Sequence, residues 1–472
     1  GLLPIRKDLR SVAVIGPAAD TVSYGDYTET RGRKSGVSVL DGIRAAVSPE
    51  TEVLYERGCN FLGQALHPFD PSMLRDENGE AGLTGRYYNG PVPQGEPVQI
   101  RTDRTVNFNW IFALPHPALD ANCFSVAWTG SVVMPRTMDG CIGLSTQDSM
   151  RLYVDDKLLI DGWGKEKSAD QALDFHFEAG RTYKIRIEFV NDRRGARVIF
   201  GYSAGRENFP AAVEAARKAD VAILCMGDNE ETSGENFDRT DLNLPGRQLE
   251  LVQAVYATGT PVVLVLQSGR PVTANWENDH LPAILEAWFP GEQGGTAIAK
   301  TLFGDAAPGG RLPITFPRSV GQIPCHYSRR PGGGKRYVEM DWLPLYPFGY
   351  GLTYTSFAYR DMALSRSVIG PQDTVTVSVT VTNTGKYTGD AVPQLYVRDM
   401  FSSVVKPERQ LAAFRRLTLA PGESRRVELT VGPKQLRTLG PDYVWRVEPG
   451  KFELQLGDNA ENILLRADLT VE

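Results

Sequence analysis

The stretch DVAILCMG, residues 220–227, contains an uninterrupted apolar run after Asp220 and lies between two segments with helical spacing. PAAVEAARKAD (210–220) precedes it, RQLELVQAVYATG (247–259) follows it, and PVVLVLQSG (261–269) is a second apolar run. Strands that are apolar throughout are buried on both faces, as in parallel sheets covered by helices. The alternation of helix and strand therefore predicts an α/β fold with a mostly parallel sheet.

The same alternation occurs at the start of the chain. SVAVIGP (11–17) is a β-branched run that ends in Gly-Pro, and TEVLYERG (51–58) is a second strand-like run. Between them, SVLDGIRAAV (38–47) has helical spacing, and Ser38 is suited to cap its first turn. The order strand, helix, strand again predicts parallel pairing.

A long segment without helical periodicity separates the two α/β parts. Within residues 79–204, runs such as MRLYVDDKLLIDGW (150–163) and RTYKIRIEFV (181–190) alternate over short lengths and are broken by turn residues. We therefore predict an α/β sandwich domain, at 1–78 and 205–330, that is interrupted by an inserted all-β sandwich.

The last part of the chain returns to short alternating strands. TVTVSVTVTN (374–383) alternates strictly, and RRVELTV (425–431) and GKFELQLG (450–457) repeat the pattern. This predicts an immunoglobulin-like β-sandwich at 353–472, which follows a linker at 331–352.

Composition excludes several classes of protein. With 472 residues the chain is too long for one ordinary core, and its net charge of -6 argues against nucleic-acid binding. No apolar stretch is long enough to predict a membrane span. The five cysteines and five histidines are scattered, so a metal site is not expected. No cofactor is predicted. Only Cys123 and Cys141 lie on strands that could be neighbours, and a disulfide between them is not expected.

A charged loop, ETSGENFDRTDLNLPG (231–246), follows the buried strand directly. Ligands of open α/β sheets bind beyond the carboxyl ends of the strands. A glutamate in that position that is partly shielded from water, such as Glu235, is suited to transfer a proton near neutral pH. We expect Asp238 and Arg239 to form an ion pair that fixes the loop. The residues alone leave a solvated turn as the alternative.

Five segments of the chain carry a resemblance to a known family. They are VAVIGPAAD, SGENFDRTDLNLPGRQLELV, VLVLQSGRPV, AWFPGEQGGTAIAKTLFGDAAPGGRLPITFP and YPFGYGLTYTSF. In this order they resemble glycoside hydrolase family 3, in particular β-glucosidases whose α/β sandwich domain carries an inserted sandwich. The insert resembles a protective-antigen-type domain, and the tail resembles a fibronectin type III-like domain.

The resemblance implies a retaining, exo-acting β-glucosidase that hydrolyses terminal non-reducing β-D-glucosyl residues. Glu235 matches the acid/base glutamate of the family, and Glu230 and Glu231 are the alternatives because this loop varies in length. The family's nucleophile is an aspartate on an N-terminal (β/α)8-like barrel, which is expected outside these 472 residues, on the same protein or on a separate chain. The chain alone is therefore expected to be catalytically incomplete.

Other interpretations stay open at this point. The chain could be a non-catalytic carbohydrate-binding fragment, or part of a related β-glycosidase such as a β-xylosidase or an aryl or natural-product β-glycosidase. The substrate is expected to be a β-glucoside or a short β-gluco-oligosaccharide, and no nucleic-acid or membrane partner is expected. The sequence leaves the compartment and the formation of a homo-oligomer undecided. Three aromatic residues of the insert, Trp110, Tyr153 and Trp163, are expected mostly in its core.

Overall fold

The computed structural model describes residues 2–28, 36–62, 66–110, 114–146, 148–164, 171–191, 197–204, 209–229, 232–332 and 336–472. Their contacts divide the chain into two compact units. One unit combines Gly1–Phe61 with Phe209–Glu472, and the other is Leu62–Asn208.

A five-stranded parallel sheet forms the centre of the first unit. Its strands are β1 (Ser11–Ile15), β2 (Glu52–Glu56), β3 (Val221–Gly227), β4 (Val262–Gln267) and β5 (Ala283–Glu286), in the spatial order β5-β4-β3-β1-β2. Every residue of β1, β3 and β4 is buried, as expected for strands that are covered on both faces. The predicted parallel α/β sheet is therefore confirmed.

Helices cover the two faces of this sheet. They are α1 (Val39–Ala46), α2 (Phe209–Lys218), α3 (Gln248–Tyr256), α4 (Asn275–His280) and α5 (Gly294–Leu302). One face packs Ala13, Leu224 and Leu264 against α2 and α3, and the other packs Val14 and Ile223 against α1 and α5. Each large aliphatic side chain that is fully buried contributes about 1.5–3 kcal/mol, so the two cores make the sheet a rigid support.

The start of α1 and its contact with α5 follow from single residues. The Ser38 hydroxyl accepts a hydrogen bond from the Asp41 N–H at 3.1 Å, which confirms Ser38 as the cap of this helix. A Cβ on Gly42 would lie 2.2 Å from the Gly295 carbonyl oxygen, so the two helices approach as closely as glycine permits.

The second unit consists of antiparallel strands. One sheet has the order Lys157–Asp161, Ser149–Val154, Thr182–Asn191, Phe124–Val133, Leu83–Asn89 and Gln99–Asp103, with Leu74–Arg75 also paired to Phe124–Val133. The other sheet has the order Gln171–Phe177, Met138–Thr146, Arg197–Ala204 and His67–Pro68, with Asn107–Asn109 also paired to Arg197–Ala204. A short 3₁₀ helix, Pro71–Met73, precedes Leu74.

The aromatic residues of this unit lie in two environments. Trp110 stacks against Phe108 and packs on the core, as predicted. Tyr153 and Trp163 are not part of that core, so the expectation for them is wrong. Tyr153 lies under the guanidinium group of Arg186, and Trp163 lies under that of Arg151 at 4.9 Å. Leu152 and Val154, on either side of Tyr153, point inward, and the pleat of the strand therefore turns Tyr153 outward.

The tail of the first unit is a further set of strands, which pair antiparallel except that Val368–Ile369 pairs parallel to Ile463–Val471. One sheet contains Phe357–Leu364, Val375–Asn383 and Ser424–Val431, and a second contains Val368–Ile369, Ile463–Val471, Gly450–Gly457, Gln394–Asp399 and Gln410–Phe414. Gly389–Ala391 pairs with Leu417–Leu419, and Thr438–Leu439 pairs with Trp445–Arg446. The helical turns Val320–Gln322 and Pro433–Leu436 complete the elements. Inward-facing residues of these strands, such as Val377 and Leu454, form a core of their own, which confirms the predicted β-sandwich.

Candidate active site

The candidate site lies where the parallel strands end. Asp228 follows β3, the segment Ser268–Gly269–Arg270 follows β4, and Trp288 lies two residues beyond the end of β5. The Asp228 N–H donates to the Gln267 carbonyl oxygen at 2.8 Å, so the first two loops leave the sheet side by side. Carboxyl edges of this kind are where α/β sheets hold their ligands.

Glu235 occupies the tip of a tight turn at this edge. The Phe237 N–H donates to the Gly234 carbonyl oxygen at 3.2 Å, which closes a four-residue β-turn with Glu235 in its second position. Asn236, in the third position, has a φ of 64°, as a type II turn requires, and asparagine tolerates that conformation better than most residues. The sequence led us to expect that Glu235 is partly shielded from water, but it is exposed in this chain, so its carboxyl group projects into solvent from the sheet edge.

Arg270 binds the backbone on both sides of Glu235. Its Nη2 donates to the carbonyl oxygen of Thr232 at 3.1 Å and to that of Phe237 at 3.4 Å. Because a guanidinium group is planar and rigid, two such bonds fix the separation of the residues that flank Glu235. The turn is therefore bound to the loop that follows β4.

A buried carboxylate joins this arginine to a second one. Asp228 is only 3% exposed, and its oxygens lie 3.8 Å from Arg270 Nε and 3.4 Å from Arg239 Nη1. Burial raises the pKa of the Asp228 carboxyl, whereas a hydrogen bond from the Thr232 hydroxyl and the two guanidinium charges act in the opposite direction. Paired in this way, the carboxylate anchors the start of the loop.

The predicted ion pair between Asp238 and Arg239 is replaced by other contacts. In the part of the chain that the structure describes, Arg239 binds Asp228, the Asp241 carboxylate at 3.3 Å and the Asn243 carbonyl oxygen at 2.9 Å. The Arg239 side chain is only 18% exposed and pairs with the buried Asp228, whereas Asp238 stays exposed. Arg239 does fix the loop, but through a different partner.

A residue that the sequence did not single out also touches the turn. Asp26, in the loop that follows β1, accepts a hydrogen bond on Oδ2 from the Glu235 N–H at 3.0 Å. Its Oδ1 accepts from the N–H of Tyr27, a residue that has a φ of 57° and is 79% exposed. The available signal was position, because the loop after β1 must end at the same edge as the loop after β3.

Glu286 is a second buried carboxyl group at this edge. Its Oε1 accepts from the Trp288 N–H at 2.9 Å and lies 3.4 Å from the Ser268 hydroxyl, and its Oε2 is buried with no hydrogen-bond partner among the described residues. Burial raises the pKa of Glu286 to about 8; the two hydrogen bonds oppose this rise, and the charge of Asp228 adds to it. Glu286 is therefore mostly protonated at neutral pH.

Two of the sequence-predicted alternatives, Glu230 and Glu231, lie outside the described residues. Among the residues that are described, no group of three or more His, Cys, Asp or Glu side chains is arranged to hold a metal ion. No helix in the described ranges is long and apolar enough to cross a bilayer.

Comparison with known protein families identifies the domains of the chain. Residues 1–354 match the model of the glycosyl hydrolase family 3 C-terminal domain, and residues 391–460 match that of the fibronectin type III-like domain. The chain belongs to glycosyl hydrolase family 3. The resemblances of its α/β domain and of its tail are thus confirmed, and the protective-antigen-type identity of the insert stays a prediction.

Individual family 3 relatives cover the chain to different extents. A β-glucosidase of Rhizobium radiobacter is 34% identical over 100% of this chain and 60% of its own length. A β-xylosidase of Formosa agariphila is 45% identical over 61% of this chain and 42% of its own length. The crystal structure of a β-glucosidase from Kluyveromyces marxianus in complex with glucose covers all of this chain, with a TM-score of 0.75 and 27% identity. This chain corresponds to 60% of that structure and to no more than 60% of the length of these two relatives.

Proposed function

We propose that this chain is the acid/base-bearing part of a retaining, exo-acting β-glucosidase, with Glu235 as the general acid/base. The nucleophilic aspartate is assigned to a (β/α)8-like barrel outside the 472 residues. The observation that carries this proposal is an exposed carboxyl group at the tip of a braced turn, on the ligand-binding edge of a family 3 sheet.

The geometry suits a group that serves a pocket built mainly by another folding unit. A retaining mechanism keeps its two carboxyl groups about 5–5.5 Å apart. An acid that meets a nucleophile from another domain must therefore project outward and keep a fixed orientation. The exposure of Glu235 satisfies the first requirement, and the bonds from Arg270 and to Asp26 satisfy the second.

The reaction proceeds in two steps. In the first, Glu235 donates its proton to the glycosidic oxygen while the barrel aspartate attacks the anomeric carbon, which releases the aglycone and leaves a glycosyl-enzyme ester. In the second, Glu235, now ionised, removes a proton from the water that attacks the same carbon. The sugar is released with its original anomeric configuration, and both carboxyl groups regain their starting states.

Glucosyl specificity is supported by the names of the relatives. The relative from Rhizobium radiobacter, which spans the whole chain, is a β-glucosidase, and the structure from Kluyveromyces marxianus contains glucose. The relative from Formosa agariphila favours xylosyl specificity as a second candidate, because it is more similar over the part that it covers. Parallel assays with 4-nitrophenyl β-D-glucoside and β-D-xyloside distinguish the two.

The central experiment compares Glu235→Gln with the parent enzyme, assayed together with the barrel. We expect kcat/KM for cellobiose to fall about 100-fold or more, since a general acid contributes roughly 10²–10⁴-fold. The loss should be much smaller for 2,4-dinitrophenyl β-D-glucoside in the glycosylation step, because that leaving group departs without a proton. Azide, a nucleophile that needs no deprotonation, should accelerate the second step of the variant.

Glu250→Gln is the matched control. Glu250 lies on α3 and forms an exposed ion pair with Arg247, and its substitution should leave all of these rates unchanged. Equal activity of Glu235→Gln and the parent enzyme on cellobiose would remove Glu235 from the mechanism. If the isolated chain binds glucosides as tightly as it does together with the barrel, the carbohydrate-binding alternative is favoured instead.

A further inference from the structure

We propose that Asp26 is a positioning residue for catalysis, and that its carboxylate sets the direction in which the Glu235 side chain leaves the sheet. This inference rests on the proposed acid/base function of Glu235. It assigns a role to a loop that is more than 200 residues away in the sequence and that carries no recognised acid/base motif.

The contact uses the backbone N–H of Glu235, which donates no hydrogen bond within the turn itself. In a β-turn the N–H of the fourth residue, here Phe237, donates to the carbonyl of the first, Gly234. The N–H of the second residue takes no part in that bond, and at Glu235 it donates to Asp26 Oδ2 at 3.0 Å. Hydrogen bonds to an ionised acceptor are roughly twice as strong as neutral ones, so this contact restrains the peptide that carries the acid.

The loops around Asp26 pack closely against one another. A Cβ on Gly234 would lie 2.8 Å from Asp26 Oδ2, and a Cβ on Gly25 would lie 3.1 Å from the ring of Phe289. A Cβ on Gly269 would lie 2.9 Å from the same ring and 2.5 Å from the Ser233 hydroxyl. The loops after β1, β3, β4 and β5 therefore meet at this point with glycine at each tight approach.

The other contacts of the turn show what Asp26 adds. Arg270 fixes Thr232 and Phe237, on either side of the tip, and Asp228 holds the start of the loop. Without Asp26 the turn would remain attached at both ends, but the peptide of Glu235 would lose its external acceptor. We therefore expect substitution of Asp26 to lower kcat/KM for cellobiose, which needs the proton of Glu235, and to change Tm only slightly.

Asp220 provides a matched control within the same domain. Its Oδ2 accepts from the backbone N–H groups of Arg10 at 2.9 Å and Ser11 at 3.2 Å, which is the same kind of bond over nearly the same sequence separation. Asp220 precedes β3 and lies at the opposite edge of the sheet from Glu235. Asp220→Ala thus removes a comparable bond without touching the turn.

The experiment measures kcat/KM with cellobiose and with 2,4-dinitrophenyl β-D-glucoside, together with Tm, for the chain assembled with its barrel. Asp26→Ala should lower the cellobiose value about 10-fold or more and the dinitrophenyl value by less than about 3-fold. Asp26→Asn, which keeps an oxygen acceptor for the Glu235 N–H, should recover most of the loss on cellobiose. Asp220→Ala should lower Tm and change both substrates by the same factor.

Several results would overturn the positioning role. Equal losses on both substrates, no recovery in Asp26→Asn, or a fall in Tm for Asp26→Ala as large as that for Asp220→Ala would each make Asp26 a structural tie. Glu235→Gln, measured in parallel, separates the two proposals. A selective loss on cellobiose in Glu235→Gln but none in Asp26→Ala overturns only the role of Asp26, whereas no loss in Glu235→Gln overturns the proposed function as well.

Discussion

An aspartate accepts backbone hydrogen bonds at both the amino edge and the carboxyl edge of the parallel sheet, that is, where its strands begin and where they end. At the amino edge, Asp220 accepts from the backbone N–H groups of Arg10 and Ser11, and at the carboxyl edge Asp26 accepts from that of Glu235. Each contact joins the segment before residue 62 to the segment after residue 208. The first contact joins two strand starts, and the second holds a projecting acid. The same bond chemistry therefore occurs in two different surroundings, and under our proposal only the contact at Glu235 serves catalysis.

Replacing an arginine at each edge of the sheet should give the largest difference in unfolding free energy and in activity. Arg270→Ala leaves the buried Asp228 carboxylate with one fewer cationic partner and releases both flanks of the Glu235 turn. We expect unfolding free energy to fall by about 2–3 kcal/mol, since removing one partner of a buried ion pair is strongly destabilising. Activity on cellobiose should fall by more than in Asp26→Ala.

Arg10→Ala is the control for that prediction. Arg10 binds Asp220 with a side chain that is 91% exposed, and exposed ion pairs contribute little. Chemical denaturation of both variants, with cellobiose kinetics, tests the contrast. Similar changes in stability at the two edges would mean that burial does not distinguish them.

A smaller effect should appear in the pH dependence of stability. The pKa of Glu286 in the folded protein is raised to about 8, so the folded state binds a proton that the unfolded state releases above about pH 4.5. Its contribution to stability is therefore fully present below pH 4.5 and is lost as pH rises through about 8. Glu286→Gln cannot lose a proton, and Tm of this variant should fall less between pH 5 and pH 8.5 than Tm of the parent protein.

Asp220, at the amino edge, should contribute a pH dependence of stability with the opposite sign. The Arg10 side chain and the backbone N–H groups lower the pKa of Asp220, so its contribution is present above the unfolded pKa and is lost as the solution becomes more acidic. Thermal unfolding measured from pH 2 to pH 9 on Glu286→Gln and Asp220→Asn resolves the two contributions. Parallel Tm curves for Glu286→Gln and the parent protein between pH 5 and pH 8 would contradict the assignment, because this is the interval between the unfolded and folded pKa values.

The smallest effect is expected at the third position of the Glu235 turn. Asn236 has a positive φ that glycine adopts without strain. Asn236→Gly should therefore keep kcat/KM for cellobiose within about 2-fold of the parent value, whereas Asn236→Val should lower it, because a β-branched residue is strained in this conformation. If the valine variant is as active as the glycine variant, the turn geometry does not control the acid.

The sequence predicts the fold well where burial controls the residue pattern. β1, β3 and β4 are apolar throughout because both faces are covered, and Ser38 caps α1 as its position before the helix indicates. The pattern also places Glu235 at the carboxyl edge of the sheet, since a charged loop follows a buried strand there.

Sequence patterns do not predict which side chains of the loops contact each other. The sequence leads to Asp238 as the partner of Arg239, because it is adjacent, whereas the structure selects the buried Asp228. Asp26 meets Glu235 only because β1 and β3 are neighbours in the sheet, and that pairing cannot be read from the two segments separately. Tyr153 is different, since the alternation of Leu152, Tyr153 and Val154 already indicated an outward ring.

The strand order has a consequence for exchanging modules. Among the residues that the structure describes, no strand of the unit Leu62–Asn208 takes part in the parallel ladder. Buried Gln248 joins the Phe61 carbonyl oxygen to that of Gly227 by donating to both. The entropy of closing a flexible connection grows only with the logarithm of its length, by about 0.6 kcal/mol for each doubling. The junction between Phe61 and Phe209 is therefore a place where an unrelated cassette, or a short peptide, should be accepted with little penalty to the ladder.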